Sequence, residues 1–496
     1  MNLLLLLQMA AEGFGDRVAI GSRDDGLSYA GLLQKAKDAA HHVQQSASEN
    51  IAFAGVNSPV FPIALFGAAA AGKPFAPLNY RLPNADLAKL VDRLLPCSLF
   101  ADDDIFQRLG TIAGAQGVSR ENALSFAHAE EKGLGDLSEE AIAVLLFTSG
   151  TTGDPKAAIL RHNHLTSYVL QTVEFMSADE DEAILISVPP YHIAGVSSIL
   201  TSIYSGRRIV QLPAFQPADW VSLAAREGVT HAMLVPTMLG RVLDILEASG
   251  ERLPALRHLS YGGGRMPSML ITRAMTLLPH VNFVNAYGLT ETSSTVAILD
   301  AEEHRRAFAS SDHAVRRRLG SVGRPLPSLE LEVRGPNGQV QPPDIAGEIW
   351  VRGEQVSGEY IGKKVIRDDG WMPTNDSGWL DADGFLFVDG RLDDVIVRGG
   401  ENISPGEIED VLRSHAAVRD VAVIGLPDEE WGERVAAVLV LHEPAASEEL
   451  QAWVRARLRS TKVPQEIHLR DELPYNDLGK LLRRNLKQQL APQLSA

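Results

Sequence analysis

The chain has 496 residues, 45% hydrophobic and 22% charged. That is the balance of an ordinary globular enzyme, and the length calls for about two or three separate cores. A net charge of −17 excludes a general affinity for nucleic acid or an anionic membrane, since both demand a basic face; it leaves room for a nucleotide held by a few local donors. The single cysteine, Cys97, excludes an intrachain disulfide and fits a reducing compartment.

In chain order, Leu3–Leu7 predicts an amphipathic first helix rather than a signal peptide: no basic residue precedes the leucines, and Glu12 and Asp16 follow soon after. No stretch approaches the roughly 20 apolar residues of a membrane span, so a cytoplasmic protein is expected. Ile51–Ala54 reads as a strand, followed by a loop at Asn57-Ser58-Pro59 and an apolar helix ending near Gly72. Ala141–Phe147, an unbroken apolar run, reads as a buried strand. Beyond it come strands at Ala183–Val188, Arg208–Leu212 and Ala232–Val235, with helices at Val196–Tyr204 and Pro217–Arg226. This alternation predicts α/β architecture with largely parallel sheets.

After about Gly320 the texture changes to short strands (Leu329–Val333, Gly347–Arg352, Gly384–Val388) and then a polar loop, Gly390–Asp394. Beyond Asp394 a compact α+β unit is expected. Its strands are Val395–Val397, Val421–Ile424 and Ala437–Leu441, and its helices Pro405–Arg413 and Glu448–Arg459.

Five segments carry residues suited to chemistry. Thr148-Ser149-Gly150-Thr151-Thr152-Gly153-Asp154-Pro155-Lys156 follows the buried strand; glycines permit close backbone approach, hydroxyls add donors and Lys156 adds charge, as a phosphate cradle needs. The spacing is not that of a P-loop. Asn285-Ala286-Tyr287-Gly288-Leu289-Thr290-Glu291-Thr292 combines an aromatic ring, a hydroxyl and a hard carboxylate suited to Mg²⁺. Tyr261-Gly262-Gly263-Gly264-Arg265 bares backbone against which a flat ring can lie, and Asp376 can accept two hydroxyl hydrogen bonds, with Arg391 further on. Lys480 follows a turn glycine near the C-terminus. Each segment in isolation also reads as an ordinary loop or a solvated charge.

Taken together and in this order, the segments resemble the ANL adenylating superfamily: acyl-CoA synthetases, adenylation domains of peptide synthetases and firefly-type luciferases. The resemblance runs from the first helix and Asp16-Arg17-Val18-Ala19-Ile20 to Gly479-Lys480. It implies a large N-terminal domain (1–392) of two α/β sheets plus a small β-subdomain (about 320–390), then a mobile α+β C-terminal domain (393–496) pivoting at Asp393. It implies that Thr148–Lys156 holds the β,γ-phosphates of ATP, that Gly263, Gly264 and Asn285–Gly288 frame the adenine with Tyr287 stacked on it, and that Thr290 touches the α-phosphate. Glu291 would coordinate Mg²⁺, Asp376 bind the ribose with support from Arg391, and Lys480 bridge the substrate carboxylate and the α-phosphate. Arg398, Gly399, Gly400 and Glu401 would line the thiol channel, and His192 would stand at the acyl pocket with Ile193, Ala194, Gly262 and Ala286.

The expected activity is ATP-dependent activation of a hydrophobic organic acid (aryl, alicyclic or medium-chain) as acyl-AMP, followed by transfer to CoA. The alternative is a free-standing enzyme that loads a carrier protein. No acidic partner for an α-ammonium stands in Ala232–Thr237, which disfavours amino acids, and the short tail after Lys480 disfavours a fused carrier. ATP, Mg²⁺ and CoA are the expected cofactors, with a monomer or homodimer as the assembly. Two positions depart from the family pattern: Asn375 replaces the usual glycine of Thr-Gly-Asp, and Ala157 replaces a glycine after the loop lysine.

Overall fold

The computed structural model describes residues 1–128, 138–148, 155–476 and 481–491, and among them four sheets. The first has nine strands. It runs parallel from Val18–Ile20 through Arg208–Gln211, Ala183–Ile186, His231–Leu234 and His258–Gly262 to Asn282–Leu289, and only its edges are antiparallel. The second has eight strands and is parallel from Ala115–Ser119 to Ile142–Thr148, where Lys156–Arg161 turns it antiparallel.

One core fills the space between these sheets. The helices Leu3–Phe14, Tyr29–Gln44, Val60–Ala71 and Ile193–Ser205 pack there against Phe53, Phe75 and Val144 of one sheet and Ile184, Ile186 and Ile209 of the other. Every residue of Val60–Ala71 is buried, as an all-round apolar helix requires, and the helix stops at Gly72 in the left-handed conformation (φ 67°). Separate cores line the outer faces, so helix and sheet layers alternate through the domain. The first helix buries its leucines, and Asn2 caps it by accepting from the Leu4 amide.

The third sheet is antiparallel, in the order Glu330–Arg334, Gly347–Arg352, Met372–Leu380, Leu386–Arg391. Met372–Leu380 does not read as a strand by composition, since it contains Pro373, Asn375, Asp376 and Gly378; pairing on both sides overrides its local preference. Leu386–Arg391 also continues as strand through the polar stretch expected to be loop, which shrinks to the 3₁₀ turn Leu392–Asp394.

Residues beyond this turn form a five-stranded sheet of their own, built around the long hairpin Val418–Asp428 and Gly432–Leu441, with apolar cores on both faces. The helix Pro405–Arg413 lies where its sequence places it, whereas the later helix ends at Arg455 rather than Arg459. Arg483 ties the C-terminal helix to this unit through Glu409 at 2.6 Å.

Candidate active site

Thr148 and Lys156 are the last register partners of two antiparallel strands, and the Thr148 hydroxyl donates to the Lys156 carbonyl at 3.4 Å. Ser149, Gly150, Thr151, Thr152 and Gly153, which complete the expected phosphate loop, lie outside the described residues, as does Lys480. The short strand Glu359–Tyr360 pairs with the strand Lys156–Arg161, Tyr360 opposite Ala158. A two-pronged ion pair from Arg161 to Glu359, at 2.9 and 3.0 Å, locks it there.

Tyr360 brings this strand pair and Glu291 together. Its hydroxyl donates to Glu291 Oε1, and the Glu291 carbonyl accepts from the amides of Ser357 (2.8 Å) and Gly358 (3.3 Å). Burial first, then the Glu291 charge, pushes the Tyr360 phenol above its ordinary range, so it remains a donor. Thr290 and Glu291 occupy a 3₁₀ turn whose exit is strained: Ser293 (φ 58°) and Ser294 (φ 120°) both take left-handed backbone without being glycine. The buried Gln355 holds this exit, donating to the Thr292 carbonyl at 2.9 Å and the Thr295 carbonyl at 2.8 Å, and its own carbonyl accepts from Ser293 Oγ.

A second constellation adjoins the first. The Tyr287 hydroxyl donates to Asp376 Oδ2 at 2.7 Å, and Arg391 Nε pairs with Asp376 Oδ1 at 3.1 Å. Arg391 Nη1 also donates to the Thr374 carbonyl at 2.9 Å. Burial opposes the Arg391 charge, but the Asp376 and Glu291 carboxylates outweigh it and raise its pKa. Burial and then Asp376 keep the Tyr287 phenol well above its ordinary value. Asp376 and Arg391, expected on separate loops, face each other on adjacent strands. Between Thr374 and Asp376, Asn375 takes φ 61°, a conformation asparagine tolerates, which explains how it replaces a glycine there.

The glycine segment has a structural reason of its own at one position. A Cβ on Gly262 would lie 2.3 Å from the Ala286 carbonyl oxygen, so the neighbouring strand by itself demands that glycine. Gly263 (φ 77°) and Gly264 are exposed and free of such contact. Asn285 to Gly288, expected as a loop, belong to the strand Asn282–Leu289 and bulge between Tyr287 and Gly288. The Asn285 side chain is committed to the Ser321 carbonyl at 2.9 Å.

His192 is the N-cap residue of the helix Ile193–Ser205, and its ring lies 4.5 Å from that of Tyr191. Ile193, Ala194 and Met233 pack against the core between the sheets. Arg398, Gly399, Gly400 and Glu401 form the tip of a tight hairpin with both glycines at positive φ. Its contacts lie within its own unit: Arg398 Nη1 donates to the Thr461 carbonyl and the Gly399 amide to the Trp431 carbonyl, each at 2.8 Å. Asp393 accepts from Asn375 Nδ2 at 3.3 Å. Sequence reasoning missed Tyr360 and Gln355, which lie in no glycine-rich or charged motif; their roles emerge only from what they reach in space.

Comparison with known proteins decides the family. The model of the AMP-binding enzyme family matches residues 7–361, and that of the AMP-binding enzyme C-terminal domain matches residues 407–480. The chain belongs to the AMP-binding enzyme family. It is an ANL-superfamily enzyme of the AMP-forming acyl-CoA synthetase class. Among relatives of this AMP-binding enzyme, a feruloyl-CoA synthase of Amycolatopsis sp is 32% identical over 470 residues, 92% of each chain. A 2-succinylbenzoate–CoA ligase of Bacillus cereus is 32% identical over 486 residues, 95% of each. The structure of o-succinylbenzoate coenzyme A synthetase from Bacillus subtilis in complex with ATP and magnesium ion superposes with a TM-score of 0.84 at 30% identity, covering 97% of this chain and 99% of that one. Among the described residues no helix is long and apolar enough to cross a membrane.

Proposed function

We propose that this AMP-binding enzyme activates an aryl carboxylic acid with ATP and passes the acyl group to CoA. The observation that carries the reading is the continuous set Tyr287–Asp376–Arg391 and Glu291–Tyr360, assembled beside the strand pair that ends at Thr148 and Lys156. It offers a phenol ring for a base, a carboxylate for a ribose diol and a second carboxylate near a phosphate-suited loop.

In the first step a carboxylate oxygen attacks the α-phosphorus as the bond to pyrophosphate breaks, giving acyl-AMP. In the second, a thiol sulfur bonds to the acyl carbon as the bond to AMP breaks. The residue assignments of this reading are those expected from sequence. Thr148–Lys156 holds the β,γ-phosphates, and Gly263, Gly264 and Tyr287 frame the adenine. Asp376 holds the ribose and is oriented by Tyr287 and Arg391. Thr290 contacts the α-phosphate, and Lys480 bridges the two anions where they repel most. Glu291 suits Mg²⁺, because that ion takes most of its shell from phosphate oxygens and water and needs a single protein carboxylate; when bound it neutralises phosphate charge. Among the described residues no group of three or more His, Cys, Asp or Glu is placed to hold a metal without such help.

The apolar Ile193 and Ala194 beside His192 suit a hydrophobic acid of any of these kinds. One fact supports an aryl acid over an alicyclic or medium-chain one: the relatives are named for ferulate and succinylbenzoate. The reading is tested by pyrophosphate release across aryl, alicyclic and fatty acids, with and without CoA. It predicts turnover best with an aryl acid, dependent on CoA and yielding AMP. Adenylate that only a phosphopantetheine carrier protein discharges would replace CoA as the acceptor.

A further inference from the structure

Arg265 directly follows the three glycines proposed to frame the adenine, and its side chain leaves that loop for the C-terminal unit. Its Nη2 lies 2.6 Å from Asp410 Oδ2 on the helix Pro405–Arg413. The same guanidinium lies over Gly406 so closely that a Cβ there would meet Nη1 at 1.8 Å. A bare glycine in the first turn of that helix, and a carboxylate one turn further on, form a seat shaped and charged for this one arginine. A second link stands at the expected pivot, where Asn375 Nδ2 donates to Asp393 Oδ2. In this orientation the Arg398–Glu401 hairpin keeps its contacts within its own unit, and Val397 and Trp431 beside it are 49% and 44% exposed.

We propose that Arg265 is a positioning residue that clasps the C-terminal unit in the orientation seen here, with Asp410 as its partner and Gly406 as its clearance, so that the adenine loop directly biases which half-reaction the enzyme is set for. This rests on the reading that the C-terminal unit changes orientation between adenylation and thiol transfer. The pair is only partly shielded, with side chains 39% and 30% exposed, so the bias is modest and falls with ionic strength.

The test uses the full chain with spin labels at Glu302→Cys and Glu448→Cys, both exposed, while the native Cys97 is fully buried. Distance distributions between the labels are measured with ATP alone, then with acyl-AMP and CoA, alongside single-turnover rates of each half-reaction. Arg265→Ala and Asp410→Ala are expected to deplete the ATP-state distance population by about two- to fivefold, the range of a partly exposed pair. Adenylation should slow by a similar factor while transfer from supplied acyl-AMP does not. Gly406→Ala should act in the same direction, 0.5 M salt should mimic the loss, and the exchanged pair Arg265→Asp with Asp410→Arg, which regains the charge pairing without the fitted seat, should recover part of the parent distribution. Two distance populations in the parent that none of these changes moves would overturn the clasp and leave domain alternation standing. A single distance under every ligand would overturn alternation, and the clasp with it.

Discussion

Asp376 and Arg391 are register partners on adjacent antiparallel strands, with Arg391 Nε 3.1 Å from Asp376 Oδ1 and the Tyr287 hydroxyl on the other carboxylate oxygen. The carboxylate is thus oriented from two sides before any ligand arrives. Asp376→Asn keeps the shape but removes the charge that hydroxyl donors would seek. ATP affinity is expected to fall about ten- to hundredfold, the worth of charge-assisted hydrogen bonds, while the Michaelis constant for the acid changes little. Titration of ATP binding measures the first quantity and steady-state kinetics the second; unchanged ATP affinity would remove Asp376 from the nucleotide site.

Tyr360→Phe removes the hydroxyl that orients Glu291 and leaves the packing of the ring in place. The concentration of Mg²⁺ needed to promote ATP binding should rise about tenfold, as for other partners of a metal-binding carboxylate, whereas binding of metal-free ATP should hold steady. Calorimetry with and without Mg²⁺ separates the two. An equal loss in both would make Tyr360 a structural residue only.

Asn375→Ala should cost roughly 1 kcal/mol of stability, because alanine in left-handed backbone meets the penalty that asparagine and glycine avoid. Asn375→Gly, which keeps the conformation but loses the bond to Asp393, should stay within about 0.5 kcal/mol of the parent. Denaturant melts check both values.

His304 is fully buried; its Nδ1 donates to the Asp300 carbonyl at 2.7 Å and its Nε2 accepts from the Tyr261 hydroxyl at 2.8 Å. Burial lowers its pKa to about 4, so the folded protein keeps it neutral while the unfolded chain takes up a proton below about pH 6.5. Stability is therefore complete above that value and falls as the pH drops toward 4, by about 2–3 kcal/mol at pH 4.5 from this residue alone. His304→Gln retains a donor and an acceptor without titrating, and its melting temperature should decline less steeply between pH 6.5 and 4.5. Parallel slopes would assign the acid sensitivity to other groups, of which His231, lowered to about 2, comes first and His164, lowered to about 4, next.

Elements that follow from local patterning were legible in the sequence. The apolar run before Thr148, the helix Pro405–Arg413 with proline in its first turn, and the glycine stop after Val60–Ala71 need only their own residues. The ordered motifs also singled out Tyr287, Asp376 and Arg391, which the fold brings into contact. Less legible was how they meet. Met372–Leu380 is a strand because two neighbours pair with it, the Asn285–Gly288 motif is strand because it continues a parallel sheet, and Gly262 is needed by a carbonyl on another strand. Tyr360 reaches Glu291 from sixty-nine positions away along the chain, so no local window contains the pair.

The central claim is one site with two chemically distinct steps, the first alone needing Lys480. Its most direct test is Lys480→Ala, assayed separately for acid-dependent pyrophosphate release and for thioester formation from supplied acyl-AMP and CoA. The account predicts that adenylation falls by several orders of magnitude while thioester formation stays close to that of the parent. Equal loss in both half-reactions would contradict it.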